Sequence, residues 1–390
     1  MASIRAFYRA YRNKVSNKLW GVVRVPAVGP KKGYALLSYL VSPFTQTPRE
    51  RHTDPHASYW ECAEIAKLLS LRGYEVDVID WRDERFVPKK PYALCIDIQR
   101  NLERLAPLLP QRCTKVFHLV SSYPEFQNSA EGRRLDDLKR RRGVSLPAHR
   151  RERVSLAPRF ADHIEGFGNR TVHATYARFA KKIAPIRESV AQEFDFPASK
   201  DFETAKRSFL WFGGGGAVHK GLDLVLEAFA QMPDLRLHVV GPVHKEAEFM
   251  KEYARELALP NVTLYERPRF DGRGRMTVGD RLFSEVAGRC GAIVYLSCSE
   301  GTSGAVVQAM HAGLYPIITP ETGIYEDAPA AVIEQPTVEA VVTAIRSFSA
   351  LPAAEAERLG RTAWSYAKAT YSKDQFTKTY SAFLDTIQLP

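Results

Sequence analysis

The residues best suited to chemistry lie at positions 297–316, Ser-Cys-Ser-Glu-Gly-Thr-Ser-Gly-Ala-Val-Val-Gln-Ala-Met-His-Ala-Gly-Leu-Tyr-Pro. An apolar run at 292–296 precedes them and reads as a buried parallel strand. Small polar residues follow with Gly301 and Gly304, and then a small-apolar pattern that predicts a tightly packed helix. A strand, a glycine-bearing turn and a helix opening make an anion site. The first helical N–H groups lack internal partners, and the helix dipole favours negative charge there. Thr302, Ser303 and Gly304 form that edge. Glu300 stands just before the turn, where a carboxylate would repel a phosphate, so its expected partners are neutral hydroxyls. Together these features imply a ligand with both phosphate and hydroxyl groups. The competing reading is an ordinary strand–helix unit with no ligand.

A second stretch, 213–221, reads Gly-Gly-Gly-Gly-Ala-Val-His-Lys-Gly and follows a short apolar strand at 208–212. Consecutive glycines let the backbone approach a ligand closely. The spacing fits neither the P-loop, which needs Gly-Lys-Ser/Thr, nor the dinucleotide fingerprint.

The two stretches resemble the donor-binding segments of retaining GT-B glycosyltransferases, the group 1 or family 4-like type. The family pattern is Glu, seven residues, a second Glu, then Ala-Met, a Gly and a short strand. Glu300, Gly301, Ala309, Met310, Gly313 and a strand at 315–319 fall in register, and Gln308 takes the second acidic position. The resemblance implies that Glu300 contacts the donor sugar and Gln308 the ribose, the latter without the strength of a charged acceptor. In the glycine stretch Lys220 and Gly221 match. The position of a family arginine falls at about Gly215 and is vacant; in the family that Arg and the Lys together neutralise the diphosphate leaving group. His219 is the neighbour available to compensate. Gly214, Gly215 and Gly216 are then expected against the donor, and Glu266 and Arg267 where the family holds the base. His118, near the end of a strand at 115–120, matches a histidine close to the reacting sugar; the bland alternative is a satisfied structural histidine.

The resemblance implies an α/β GT-B fold, with two doubly wound Rossmann-like domains facing across a cleft. It also implies transfer from a nucleotide diphosphate sugar to an acceptor hydroxyl, with retention. Glu300, Lys220 and His118 are the catalytic candidates. Neither a cofactor nor a metal is expected, and no Asp-x-Asp motif is present to hold a cation. The acceptor class stays open among saccharides, lipid-linked groups and proteins. The missing arginine and second Glu leave a sugar-nucleotide-binding protein without transferase activity as an alternative. A nicotinamide-dependent oxidoreductase is a further one, opposed by the lack of Gly-x-Gly-x-x-Gly.

The elements that must position these residues are legible along the chain. At 390 residues there is room for two ordinary domains. The hydrophobic and charged fractions, 45% and 25%, are those of a globular protein. No apolar window is long enough to span a membrane. The five cysteines are odd in number and lack zinc spacing, which fits free thiols in a reducing cytosol. Strands are predicted at 33–41, 74–79, 92–98 and 115–120, and shorter ones at 163–166 and 171–175. Beyond a polar linker at 194–207, further strands are expected at 235–240 and 261–264, with helices between them, including one at 245–257. The expected domains are 1–200 on the acceptor side, 201–370 for the nucleotide sugar, and a helix at 371–390 that returns to the first.

The formal charge of +11 is concentrated. Residues 1–32 carry eight basic side chains and no acidic one. Ile4, Phe7, Tyr8, Tyr11 and Val15 recur there at helical spacing. Such a helix lies on an anionic membrane surface or packs on its own protein with its basic residues solvated. The expected location is cytoplasmic, with the inner membrane face as the place for such contact. A second basic run spans 133–153 and reads as the rim for an anionic acceptor or a membrane-facing surface. No nucleic-acid module accompanies it, so nucleic acid is not expected as a partner.

Overall fold

A computed structural model describes residues 21–45, 57–197, 199–265 and 281–387. The basic amphipathic pattern at 1–20, Glu266 and Arg267 lie outside the described residues.

Two sheets organise the chain. The first has seven strands in the order β1-β3-β2-β4-β5-β6-β7. They are β1 (Val23–Val25), β2 (Gly33–Tyr39), β3 (Tyr74–Asp80), β4 (Tyr92–Asp97), β5 (Thr114–Leu119), β6 (His163–Gly166) and β7 (Ile183–Pro185). Only β1 pairs antiparallel; the others run parallel. Near-continuous apolar runs such as Ala35-Leu36-Leu37 make such strands, because both faces of a parallel sheet are covered. The second sheet is all parallel, with six strands in the order β10-β9-β8-β11-β12-β13. These are β8 (Ser208–Phe212), β9 (Arg236–Val240), β10 (Val262–Tyr265), β11 (Ala292–Tyr295), β12 (Tyr315–Ile318) and β13 (Ala331–Val332).

Seven helices matter to the argument: α1 (Ala57–Leu71), α2 (Pro124–Arg142), α3 (Leu222–Ala230), α4 (Gly304–His311), α5 (Val338–Ser349), α6 (Ala353–Thr370) and α7 (Lys373–Thr386). The last returns to the first sheet. Phe376, Tyr380, Phe383 and Leu384 join the core built on β2, β3 and α1, and Arg72 binds Ser381 and Asp385.

Three expectations are corrected. Residues 171–175, expected as a strand, instead form most of a short helix, Arg170–Ala174, and its C-cap, because Asn169 caps it by accepting from the Val172 amide. The helix expected over 245–257 is two short ones, Ala247–Glu252 and Ala254–Leu257. The basic run at 133–153 is only in part an outer surface: Arg134, Arg141 and Arg142 turn inward, while Arg133, Lys139, Arg140, Arg150, Arg151 and Arg153 are exposed. Arg141 of α2 pairs with Asp223 at 2.5 Å and with Glu227, and Arg142 with Glu252 and Glu256 at 2.7 and 2.6 Å. Arg134 donates to the Leu296 carbonyl at 2.7 Å. Leu138 of the same helix is fully buried in the core of the second sheet. Helix α2 therefore clamps the two halves together. All five cysteines are buried free thiols. Among the described residues no helix is long and apolar enough to cross a membrane.

Candidate functional site

Strands β8 and β11 are neighbours, but β9 and β10 extend to one side and β12 and β13 to the other. The chain order reverses between β8 and β11, and open α/β sheets bind ligands in the crevice beyond the carboxyl ends at such a reversal. Phe212 at the end of β8 feeds the four-glycine loop, and Tyr295 at the end of β11 feeds the turn that carries Glu300.

Lys220 and Glu300 meet in this crevice. The Lys220 Nζ donates to Glu300 Oε1 at 2.6 Å and to Tyr295 Oη at 2.7 Å. The same Oε1 accepts from Tyr295 Oη at 3.1 Å and from Ser297 Oγ at 3.0 Å. The side chains are 8% and 15% exposed. Burial alone would push the Glu300 carboxyl up. Lys220, His219 and Arg150 outweigh it and hold that carboxyl down at about 2. Burial likewise opposes the Lys220 ammonium, and Glu300 overcomes it and raises Lys220 above its ordinary value. The pair is therefore ionised, with its two charges cancelling. His219 is no replacement cation: burial, then the charge of Lys220, lower it to about 4. Its Nε2 lies 2.8 Å from the Ser299 carbonyl and so carries the proton.

Of the expected anion-binding edge, Gly304 stays open. It is exposed at the first turn of α4, and Ser303 contributes no side-chain cap. The Ser303 amide instead donates to the Thr322 carbonyl at 2.8 Å, and Thr302 Oγ1 accepts from the Gly168 amide at 3.1 Å. In the glycine loop Gly214 and Gly215 are exposed. The Gly216 amide is engaged, donating to Glu246 Oε1 at 2.6 Å. Gln308 is 2% exposed, and its amide is occupied at both ends by the backbone of Gln192, at 3.1 and 2.6 Å.

His118 makes no hydrogen bond to Lys220 or Glu300 among the described residues. It is fully buried, its Nδ1 lies 2.9 and 2.8 Å from the Glu165 carboxylate oxygens, and Tyr39, Phe167 and Tyr380 pack around its ring. Tyr380 Oη also donates to Glu165 at 3.1 Å, so this group joins the returning helix α7 to the first sheet.

Sequence reasoning missed the contact that closes the site. The Ser122 amide and hydroxyl both donate to the Glu300 carbonyl, at 2.9 and 2.8 Å. A Cβ on Gly301 would lie 2.3 Å from the Val120 carbonyl oxygen, so glycine there lets the halves approach. It also missed two carboxyls. Glu61 accepts from the Ser189 amide and hydroxyl, both at 2.9 Å, and burial raises it to about 7. Glu188 lies beside Gly304, and burial, with Glu61 and Glu300 adding to it, pushes its carboxyl well up. Nothing in the local sequence marks either one, because their partners are far along the chain. Among the described residues no three His, Cys, Asp or Glu side chains group as a metal site.

Residues 198–365 match the family model described as Glycosyl transferases group 1. No curated protein matches the chain by sequence. Among solved structures, sucrose-phosphate synthase from Thermosynechococcus elongatus is similar with a TM-score of 0.59 at 14% identity, covering 90% of this chain and 98% of that one. HepE from Anabaena, in complex with UDP and glucose, has a TM-score of 0.56 at 12% identity, covering 91% and 100%. A variant of S. aureus TarM, in complex with fondaparinux, alpha-GlcNAc-glycerol and UDP, has a TM-score of 0.51 at 13% identity, covering 78% of this chain and 57% of TarM. The chain has the GT-B fold, and its second half carries the match to the group 1 glycosyl transferases.

Proposed function

We propose that the protein transfers a sugar from a nucleoside diphosphate sugar to an acceptor hydroxyl, with retention of configuration and without a metal. The observation that carries this reading is the ionised Lys220–Glu300 pair in the β8/β11 crevice, between an open glycine loop and an uncapped helix start. Breaking a glycosidic bond builds negative charge on the departing diphosphate. The free amide of Gly304 meets that charge without reorganising, as in preorganised sites, and the Lys220 ammonium joins it by exchanging Glu300 for the diphosphate. As the diphosphate draws Lys220 towards it, the Glu300 carboxylate is released to accept from sugar hydroxyls. Retention rests on the likeness of the 300–313 segment to retaining enzymes. Metal independence rests on Lys220 and the helix start meeting the leaving group. The UDP and glucose held by HepE on the same fold support this choice of donor class. The acceptor classes consistent with this reading are saccharides, lipid-linked groups and proteins.

A second reading, binding of a sugar nucleotide without transfer, is favoured by one observation: Gln308, expected on the ribose, already spends both ends of its amide on Gln192. Scanning fluorimetry with UDP, GDP, ADP and TDP, followed by transfer and hydrolysis assays with the matching sugar nucleotides, separates the two. Turnover with the anomeric configuration kept is expected. Tight binding without turnover gives the second reading, and no binding by any of the four overturns both.

A further inference from the structure

We propose that Arg150, carried by the first half of the chain, is the second cation on the departing diphosphate, and this rests on the donor reading above. The pocket needs one. Lys220 is balanced by Glu300, so that pair brings no net positive charge to a leaving group with several negative ones. His219 is held neutral and is turned to the Ser299 carbonyl.

Arg150 is placed where the need arises. A Cβ on Gly216 would fall 2.6 Å from its Cγ and 3.1 Å from its Cδ, so the side chain lies directly on the glycine loop. Any larger residue at Gly216, whose φ is +93°, would displace it. The backbone of Arg150 is fixed from beneath by α2. Glu131, 2% exposed, accepts from the His149 and Arg150 amides at 2.9 Å each. Gln127, 3% exposed, donates to the Arg150 carbonyl. Asn128 exchanges two 2.8 Å hydrogen bonds with the backbone of Glu152. His149 adds a contact to the carboxylate behind the loop, with Nε2 3.8 Å from Glu246 Oε2.

Arg150 is exposed, and its guanidinium makes no hydrogen bond or ion pair among the described residues. This sets Arg150 apart from Arg141 and Arg142, which are spent on second-half carboxylates. A rigidly held backbone under an unspent guanidinium is the arrangement expected of a phosphate-binding arginine. Its charge already reaches the pair in the crevice, acting on both Lys220 and Glu300. A cation from the opposite half also ties donor charge to domain contact, because Arg150 sits on Gly216 only while α2 keeps the halves together.

Titration calorimetry of the full chain, with the best-binding nucleoside diphosphate and with inorganic pyrophosphate, tests the assignment. Arg150→Gln is expected to weaken both about ten- to a hundredfold and to lower kcat, with thermal unfolding unchanged. Adding Gly215→Arg to Arg150→Gln is expected to restore affinity, since a Cβ at Gly215 has only Glu246 Oε1 near it, at 3.8 Å, leaving room for the new side chain to leave the loop. Parent-like binding by Arg150→Gln, alongside weakened binding by Lys220→Ala, overturns the proposal and leaves the donor reading standing. A loss that Gly215→Arg does not restore overturns it too, assigning the effect to packing over Gly216. A parent chain that binds no nucleoside diphosphate overturns the donor reading and this assignment together.

Discussion

The Nζ of Lys220 lies 2.6 Å from Oε1 of Glu300, so two residues assigned from sequence to opposite parts of a donor form one ion pair. Neither charge is free until a ligand competes for it. The ligand must draw Lys220 away from a nearly buried carboxylate, and its binding energy is reduced by that exchange.

Glu300→Gln removes the competitor and leaves the ammonium to the ligand. Affinity for the free nucleoside diphosphate is expected to rise several-fold, while transfer of the sugar falls. If the two residues acted independently, that affinity would stay the same. Calorimetry on the variant decides, and weaker binding would contradict the pairing.

Arg141 joins α2 to Asp223, which is fully buried, and to Glu227. Arg141→Met strands a buried carboxylate and is expected to cost about 3–5 kcal/mol of stability in urea unfolding. A change below about 1 kcal/mol would mean that the clamp is ordinary surface pairing.

Burial holds the Glu61 carboxyl at about 7, above its ordinary 4.5. The folded chain thus binds this proton more tightly than the unfolded chain. The contribution is fully present below 4.5 and is lost as the pH rises through about 7. Tm is expected to fall between about pH 4.5 and pH 7, and Glu61→Gln, neutral throughout, should flatten that part of the profile. An identical profile in the variant would refute the assignment.

Gly301→Ala drives a methyl group to 2.3 Å from the Val120 carbonyl oxygen. The halves must separate locally, and the Ser122 bonds to the Glu300 carbonyl go with the contact. A loss of about 1–3 kcal/mol is expected from overpacking, with a larger fractional loss of transfer than of nucleoside diphosphate binding. Unchanged stability and transfer would show that the contact is dispensable.

The fold was legible because parallel strands leave uninterrupted apolar runs, as at 35–37 and 292–296, and because Gly301 and Gly304 mark a strand-to-helix turn. The pairing of Lys220 with Glu300 was not, since 80 residues separate them and each alone reads as a ligand contact. The same distance hid the clamp. Arg141 and Asp223 stand 82 positions apart, so Arg141 read as part of a partner surface while Asp223 and Glu227 lay in another domain. Residues 171–175 are mostly β-branched, which favours a strand, yet the Asn169 cap two residues before them starts a helix. Gln308 was placed by register, but only the structure reveals that the backbone of Gln192 occupies its amide.

The central claim is that the β8/β11 crevice holds a diphosphate, and the most direct measurement is a crystal structure of the chain with its best-binding nucleoside diphosphate. The account predicts phosphate oxygens within hydrogen-bond distance of Lys220 Nζ and the Gly304 amide, with the Lys220–Glu300 bond lengthened. Phosphates lodged elsewhere, with Lys220 still 2.6 Å from Glu300, would contradict it.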